Sequence, residues 1–141
     1  MAADTGSWQT FEFAFAAAYR PVLLAFGVTP ATAKVVVGPR EQGGALRTRF
    51  GPWLLDTMLD NVAEVGVGGP YRAHRVIGPR LSLADRGVTF GTSTDAGVCV
   101  RFHEPVGVLF GRRLVRHPGM TVTVQDPDGF AHLVRTRAGL A

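Results

Sequence analysis

Glycine and proline cut this chain into short lengths. Four Gly-Pro pairs, at 38–39, 51–52, 69–70 and 78–79, interrupt a sequence holding 18 Gly and 9 Pro in 141 residues. Glycine supplies backbone angles other residues avoid, and proline fixes φ and removes a donor, so each pair punctuates the chain. The pieces between breaks are rich in Val, Phe and Thr and run roughly four to eight residues, which suits strands better than a bundle of long helices. The pairs are unequally spaced and their flanks differ, so they are not a repeat.

Residues 8–15 alternate, with Phe11, Phe13 and Phe15 on one side, and read as a strand. Arg20-Pro21 opens and Gly27 closes one or two helical turns. Strands are expected at 33–37, 46–50 and 53–55, then a single turn capped by Asp60 or Asn61 and an extended stretch at 64–67. A further segment spans 71–77. Gly78-Pro79 is expected to turn and 81–86 to form a loop. Runs 88–92 and 98–102, joined by a connection holding Asp95 and Gly97, predict a hairpin.

The last unit carries the clearest signals. Residues 120–124 alternate as a strand, Asp126 is placed to cap a helix, Pro127 fits its first position, and Asp128 favours the positive end of its dipole. Phe130, Leu133 and Val134 then fall at i, i+3 and i+4 and make one apolar stripe. An amphipathic helix over 126–137, lying on the sheet, is expected. With no internal linker, the reading is one mainly β (α+β) domain over 1–141. Its parts are a loose start at 1–7, about seven antiparallel strands in a two-sheet barrel or sandwich, and the C-terminal helix.

The search for a reaction returns only fragments. Cys99 is the only cysteine, which excludes an intramolecular disulfide and a Cys-based zinc site. His103 lies four residues from Cys99. On one strand that separation is about 13 Å, out of reach of the hydrogen bond a thiol–imidazole dyad needs. His74, His103, His117 and His132 show no i, i+4 or His-x-His pairing, so His103, Glu104 and His117 could meet a metal only through tertiary structure. Ser7, Ser82 and Ser93 sit in no Gly-x-Ser-x-Gly or Ser-x-x-Lys setting. The glycines of 66–70 lack the lysine and the following helix of a phosphate loop, and read as a turn. No enzyme activity, cofactor or metal is expected.

Charge is the remaining lead. The chain carries net charge +4, and 14 of its 15 basic residues are arginines. Guanidinium forks suit phosphate and carboxylate, although an Arg-for-Lys bias is also what a GC-rich genome produces. Arg112, Arg113, Arg116 and His117 form one group, and Arg72, His74, Arg75 and Arg80 a second. Such groups can hold an anionic lipid head or a nucleic-acid phosphate, or can simply be solvated. Few aromatics interleave with them, Tyr71 and Phe110 only, which argues against single-stranded nucleic acid. The apolar run 106–110 before the first group is either a core strand or a loop that touches membrane. Trp53, Phe90 and Phe102 are candidate lining for an apolar pocket between sheet and helix. The apolar stretch 13–28 is broken by Arg20-Pro21 and too short to span a bilayer, and the N-terminus has no basic run. A cytoplasmic protein is expected, at most peripheral on the inner membrane face.

About seven short strands followed by one amphipathic helix, with the strand, Asp-Pro-Asp cap and helix of 122–134, resembles the pleckstrin-homology-like barrel in its bacterial form. Residues 46–60, with Phe50-Gly51-Pro52-Trp53 at their centre, are also similar to short conserved proteins of high-GC bacteria. The resemblance implies two packed antiparallel sheets closed at one end by the last helix, and a binding module rather than a catalyst. The basic loop between the first two strands that binds lipid in eukaryotic members has only Tyr19-Arg20-Pro21 here, so no lipid-binding residue carries over. The expected function is a non-enzymatic binding or scaffold domain. Its partner is a protein or an anionic lipid surface, and a homodimer is allowed. The alternative is a carrier of a small hydrophobic ligand.

Overall fold

The computed structural model describes residues 7–39, 44–69, 78–81, 87–93 and 95–140, with the backbone alone at 78–81 and Arg113. Among the described residues there are nine strands: β1 (Gln9–Glu12), β2 (Ala33–Val37), β3 (Ala45–Phe50), β4 (Trp53–Met58), β5 (Val62–Gly68), β6 (Gly78–Leu81), β7 (Val88–Gly91), β8 (Gly97–Phe110) and β9 (Arg113–Val122). Two helices, α1 (Arg20–Ala25) and α2 (Pro127–Ala138), complete the main elements, with 3₁₀ turns at Ala17–Tyr19 and Leu59–Asn61. The fold is mainly β, curled and barrel-like, with a C-terminal helix, as the sequence led us to expect.

The strands form one sheet in the order β1-β2-β3-β4-β8-β9-β7-β6. β5 lies beside β8 as well, so β4 and β5 run in succession along one edge of that long strand. Alternation decides which side faces in: Val35, Val37, Leu46, Phe50, Leu55, Val98, Val100 and Val122 are buried, and their strand neighbours Lys34, Arg47, Arg49, Leu54 and Arg101 are exposed. Gly51 takes φ +59 between β3 and β4, where a side chain would be strained, and this explains the break at that Gly-Pro pair.

The curl brings the first strand back to the last. Phe13 bridges Val124 in antiparallel fashion, Ala14 N–H donates to the Thr123 carbonyl at 2.9 Å, and Gln125 N–H donates to the Glu12 carbonyl at 2.8 Å. A buried threonine pair ties this seam to β7. The Thr123 hydroxyl accepts from the Thr92 N–H at 2.8 Å, and the Thr92 hydroxyl donates to the Ala14 carbonyl. Both threonines are fully buried, so these bonds satisfy groups that water cannot reach. Inside the curl the rings of Phe13, Phe50 and Phe90 form a column, tilted against one another with centroids 5.4 and 5.1 Å apart.

α2 begins as expected. The Asp126 carboxylate accepts from the Gly129 N–H at 3.0 Å, and Gly139, at φ +77, ends the helix. Phe130, Ala131 and Val134 are buried, and the Phe130 ring meets Phe11 edge-on at 5.1 Å. Two arginines fasten the helix to strand carbonyls. Arg135 donates from Nε and Nη2 to Val65, at 3.2 and 2.6 Å, and the buried Arg137 donates to Val37 at 3.2 Å.

Three expectations are corrected. The hairpin expected between 88–92 and 98–102 does not form, because β9 inserts between them, parallel to β7 and antiparallel to β8. Gly78-Pro79 is strand and not turn: β6 pairs with β7 at the end of the sheet, where a missing proline N–H breaks no ladder. β8 continues through Pro105 to Phe110 rather than ending near Phe102. Its pairing with β9 shifts register between Arg101 and Val106, a bulge that absorbs the proline. The segment 71–77 lies outside the described residues.

Candidate functional site

The bulge divides β8 into two stretches with different surroundings. Opposite it, the Asn61 side chain stands in for a strand: its Oδ1 accepts from the Glu104 N–H at 2.9 Å and its Nδ2 donates to the Glu104 carbonyl at 3.0 Å. Beyond the bulge, residues 106–110 of β8 and 113–117 of β9 form a hairpin that turns at Gly111-Arg112. β4 lies along it, with Trp53 opposite Phe110 and Leu54 opposite Leu109. We call this three-stranded end of the sheet the arm.

Exposed apolar side chains lie on both faces of the arm, on the inner one only beyond the buried Leu55, Val106 and Val108. On the outer face, Leu54, Leu109 and Leu114 follow one another across three strands, and Leu114 is 57% exposed. Gly107 makes this possible, since a Cβ there would come within 2.5 Å of the Leu114 side chain. On the opposite face, Phe110 stacks on Trp53 at 4.9 Å, Phe26 leans on Trp53 at 6.2 Å, and Val115 is 56% exposed. Helix α1 adds Val22 and Leu24, both exposed, while its Leu23 is fully buried. An apolar surface spread over adjacent strands differs from isolated exposed leucines, and on a folded chain it marks a contact surface.

Cations edge this surface at the turn and along the leucine row, while Asp60 and Glu104 border the groove that Leu114 and Arg116 also line. Arg49 is opposite Leu54 and Lys34 is opposite Arg49, which extends the leucine row into two exposed basic residues. Arg112 is exposed at the turn and Arg116 on β9. No Asp or Glu occurs between Pro105 and Gln125. Asp56, the carboxylate on β4 nearest the leucine row, is paired with Arg47 at 3.2 Å, and Arg47 also lies over the Trp8 ring at 5.6 Å.

Beside the bulge lies an open groove of about 800 Å³, lined by Met58, Asp60, His103, Glu104, Val106 and Arg116 among others. It is shallow and of mixed polarity. Among the described residues no three His, Cys, Asp or Glu side chains are grouped to hold a metal ion. Cys99 and His103 lie four residues apart on β8, the extended geometry that keeps a thiol and an imidazole apart.

The expected site residues are distributed as follows. Arg112 and Arg116 share the arm with the backbone of Arg113, whereas His117 turns inward opposite Val106 and is only 8% exposed. Arg72 and Arg75 lie outside the described residues. Phe90 belongs to the ring column and Phe102 is buried, but Trp53 pairs with Phe110, eight residues further along β8, which is on the order of 25 Å of strand. Trp53 is therefore far along β8 from Phe102, while Phe50, the partner of Trp53 across β3 and β4, meets Phe90 at 5.1 Å. Sequence reading missed Leu54, Leu109 and Leu114 as a unit, because only the pairing of three separate strands places them side by side. No protein-family model matches the chain, and neither does any curated protein sequence or solved structure.

Proposed function

We propose that this chain is a non-enzymatic binding domain that docks through the arm. The observation that supports the reading is the exposed apolar row Leu54–Leu109–Leu114, backed by Phe110 and Val115 on the reverse face and edged by Arg49, Arg112 and Arg116. Leaving such side chains in water forgoes roughly 25 cal/mol for each Å² of apolar surface, which a contact at this place would recover.

The test is site-specific photo-crosslinking in cells of its own host, with benzoylphenylalanine placed at Leu114 and, as a control, at Thr136 on α2. Adducts at 114, to protein or to lipid, and none at 136 are expected. If position 114 captures nothing beyond the level at 136, the arm is not a docking surface and the reading fails.

A further inference from the structure

We infer that the occupant of the arm is the interface of an anionic phospholipid bilayer, an inference that rests on the docking reading above. Three features of the arm point to lipid. The first is that exposed apolar side chains lie on both faces at the end of the arm: Leu109 and Leu114, continued by Leu54, on one, and Phe110 and Val115 on the other, beyond the buried Val106 and Val108. A folded partner covers one face of a sheet. A lipid interface admits both, because it closes around whatever enters it.

The second is charge. Arg112 and Arg113 precede the Leu114-Val115 pair and Arg116 follows it, with no acid from Pro105 to Gln125. Arg49 and Lys34 continue the basic border on the outer face. A second copy of the chain docking on the same surface would bring like charges together, which is costly. A leaflet of anionic headgroups brings the opposite sign, and long basic side chains reach headgroups while their stems stay in apolar surroundings.

The third limits depth. β7 pairs with β9 only from Met120 to Val122, so among the described residues no strand covers the far edge of 113–116. Unpaired strand-edge N–H and C=O groups are tolerated among headgroups and water but not in hydrocarbon. No helix among the described residues is long and apolar enough to cross a membrane. The arm therefore rests at the boundary between headgroups and acyl chains, its leucines inward and its arginines at phosphate level.

The experiment uses the full chain with vesicles of phosphatidylglycerol and phosphatidylcholine in equal parts, and vesicles of phosphatidylcholine alone. Cosedimentation is expected with the first, weakening as salt rises. Arg112→Gln and Arg116→Gln should each lower partitioning roughly fivefold. A nitroxide at Leu114→Cys in a Cys99→Ala background should become accessible to oxygen on anionic vesicles, and one at Thr136→Cys should not. Absence of binding to anionic vesicles overturns the inference, as does binding that leaves the label at 114 in water. So does a label at 114 that becomes immobilised when protein concentration alone is raised, since the occupant is then a second copy. In that case, or if protein adducts form at 114 in cells, docking stands and lipid falls. If vesicles leave the arm untouched and cells give no adduct, both fall.

Discussion

The two stretches of β8 share one backbone and differ in what covers them. In the first, Val98, Val100 and Phe102 are buried, because β5 and β9 flank the strand and α2 packs against it and β5. In the second, Val106 and Val108 are buried but Leu109 and Phe110 stand 39% and 44% exposed. Both stretches are apolar, so hydrophobicity alone does not tell core from contact surface. The difference comes from what lies opposite: a helix and a closed seam at one end, and little beyond Phe26 at the other.

That contrast can be broken by substitution. Phe50→Ala removes the centre of the ring column and should cost about 3–5 kcal/mol in urea unfolding, whereas Phe110→Ala should cost less than about 1 kcal/mol. Equal losses would mean that the arm is core after all. Arg137→Ala, which frees the Val37 carbonyl and removes a buried stem, should cost about 2–3 kcal/mol by the same measurement.

At the seam, Thr123→Val keeps shape and removes the acceptor for the buried Thr92 N–H, for an expected loss of about 1–3 kcal/mol. Amide exchange at Thr92 should quicken along with it, and an unchanged rate would show that the seam is not a closing contact. Asn61→Ala should cost only about 1 kcal/mol and act locally. Exchange at Glu104 should rise more than exchange at Val100, which separates the bulge from the barrel. Leu114→Ser should leave unfolding within about 0.5 kcal/mol of the parent, because the side chain lies mostly in water, and yet reduce binding to anionic vesicles. A large loss of stability there would mean that Leu114 serves the fold.

Much of the fold was legible where local chemistry is decisive. The Asp126 cap, the Pro127 start and the apolar stripe of α2 lie within one short stretch of sequence, and the structure repeats them nearly residue for residue. The same holds for β2, β3 and the turn at Gly51. The candidate site was half legible. The apolar run 106–110 and the arginines after it stood out as neighbours, but His117 was grouped with them, and strand alternation across the β8–β9 ladder turns it inward. The row Leu54–Leu109–Leu114 draws on residues 60 positions apart, from 54 to 114, and no local pattern reports it.

By itself the sequence determined strand-forming runs such as 33–37 and 46–50, the break at Gly51 and the capped final helix, because propensity, turn chemistry and capping act within a few residues. Tertiary structure decided which strands pair. It inserted β9 between β7 and β8, carried β8 through Pro105 on a bulge, and returned β1 to the end of β9. Those outcomes depend on how apolar faces from distant segments bury one another and on which backbone groups remain to be satisfied. The same pairing leaves the apolar arm uncovered.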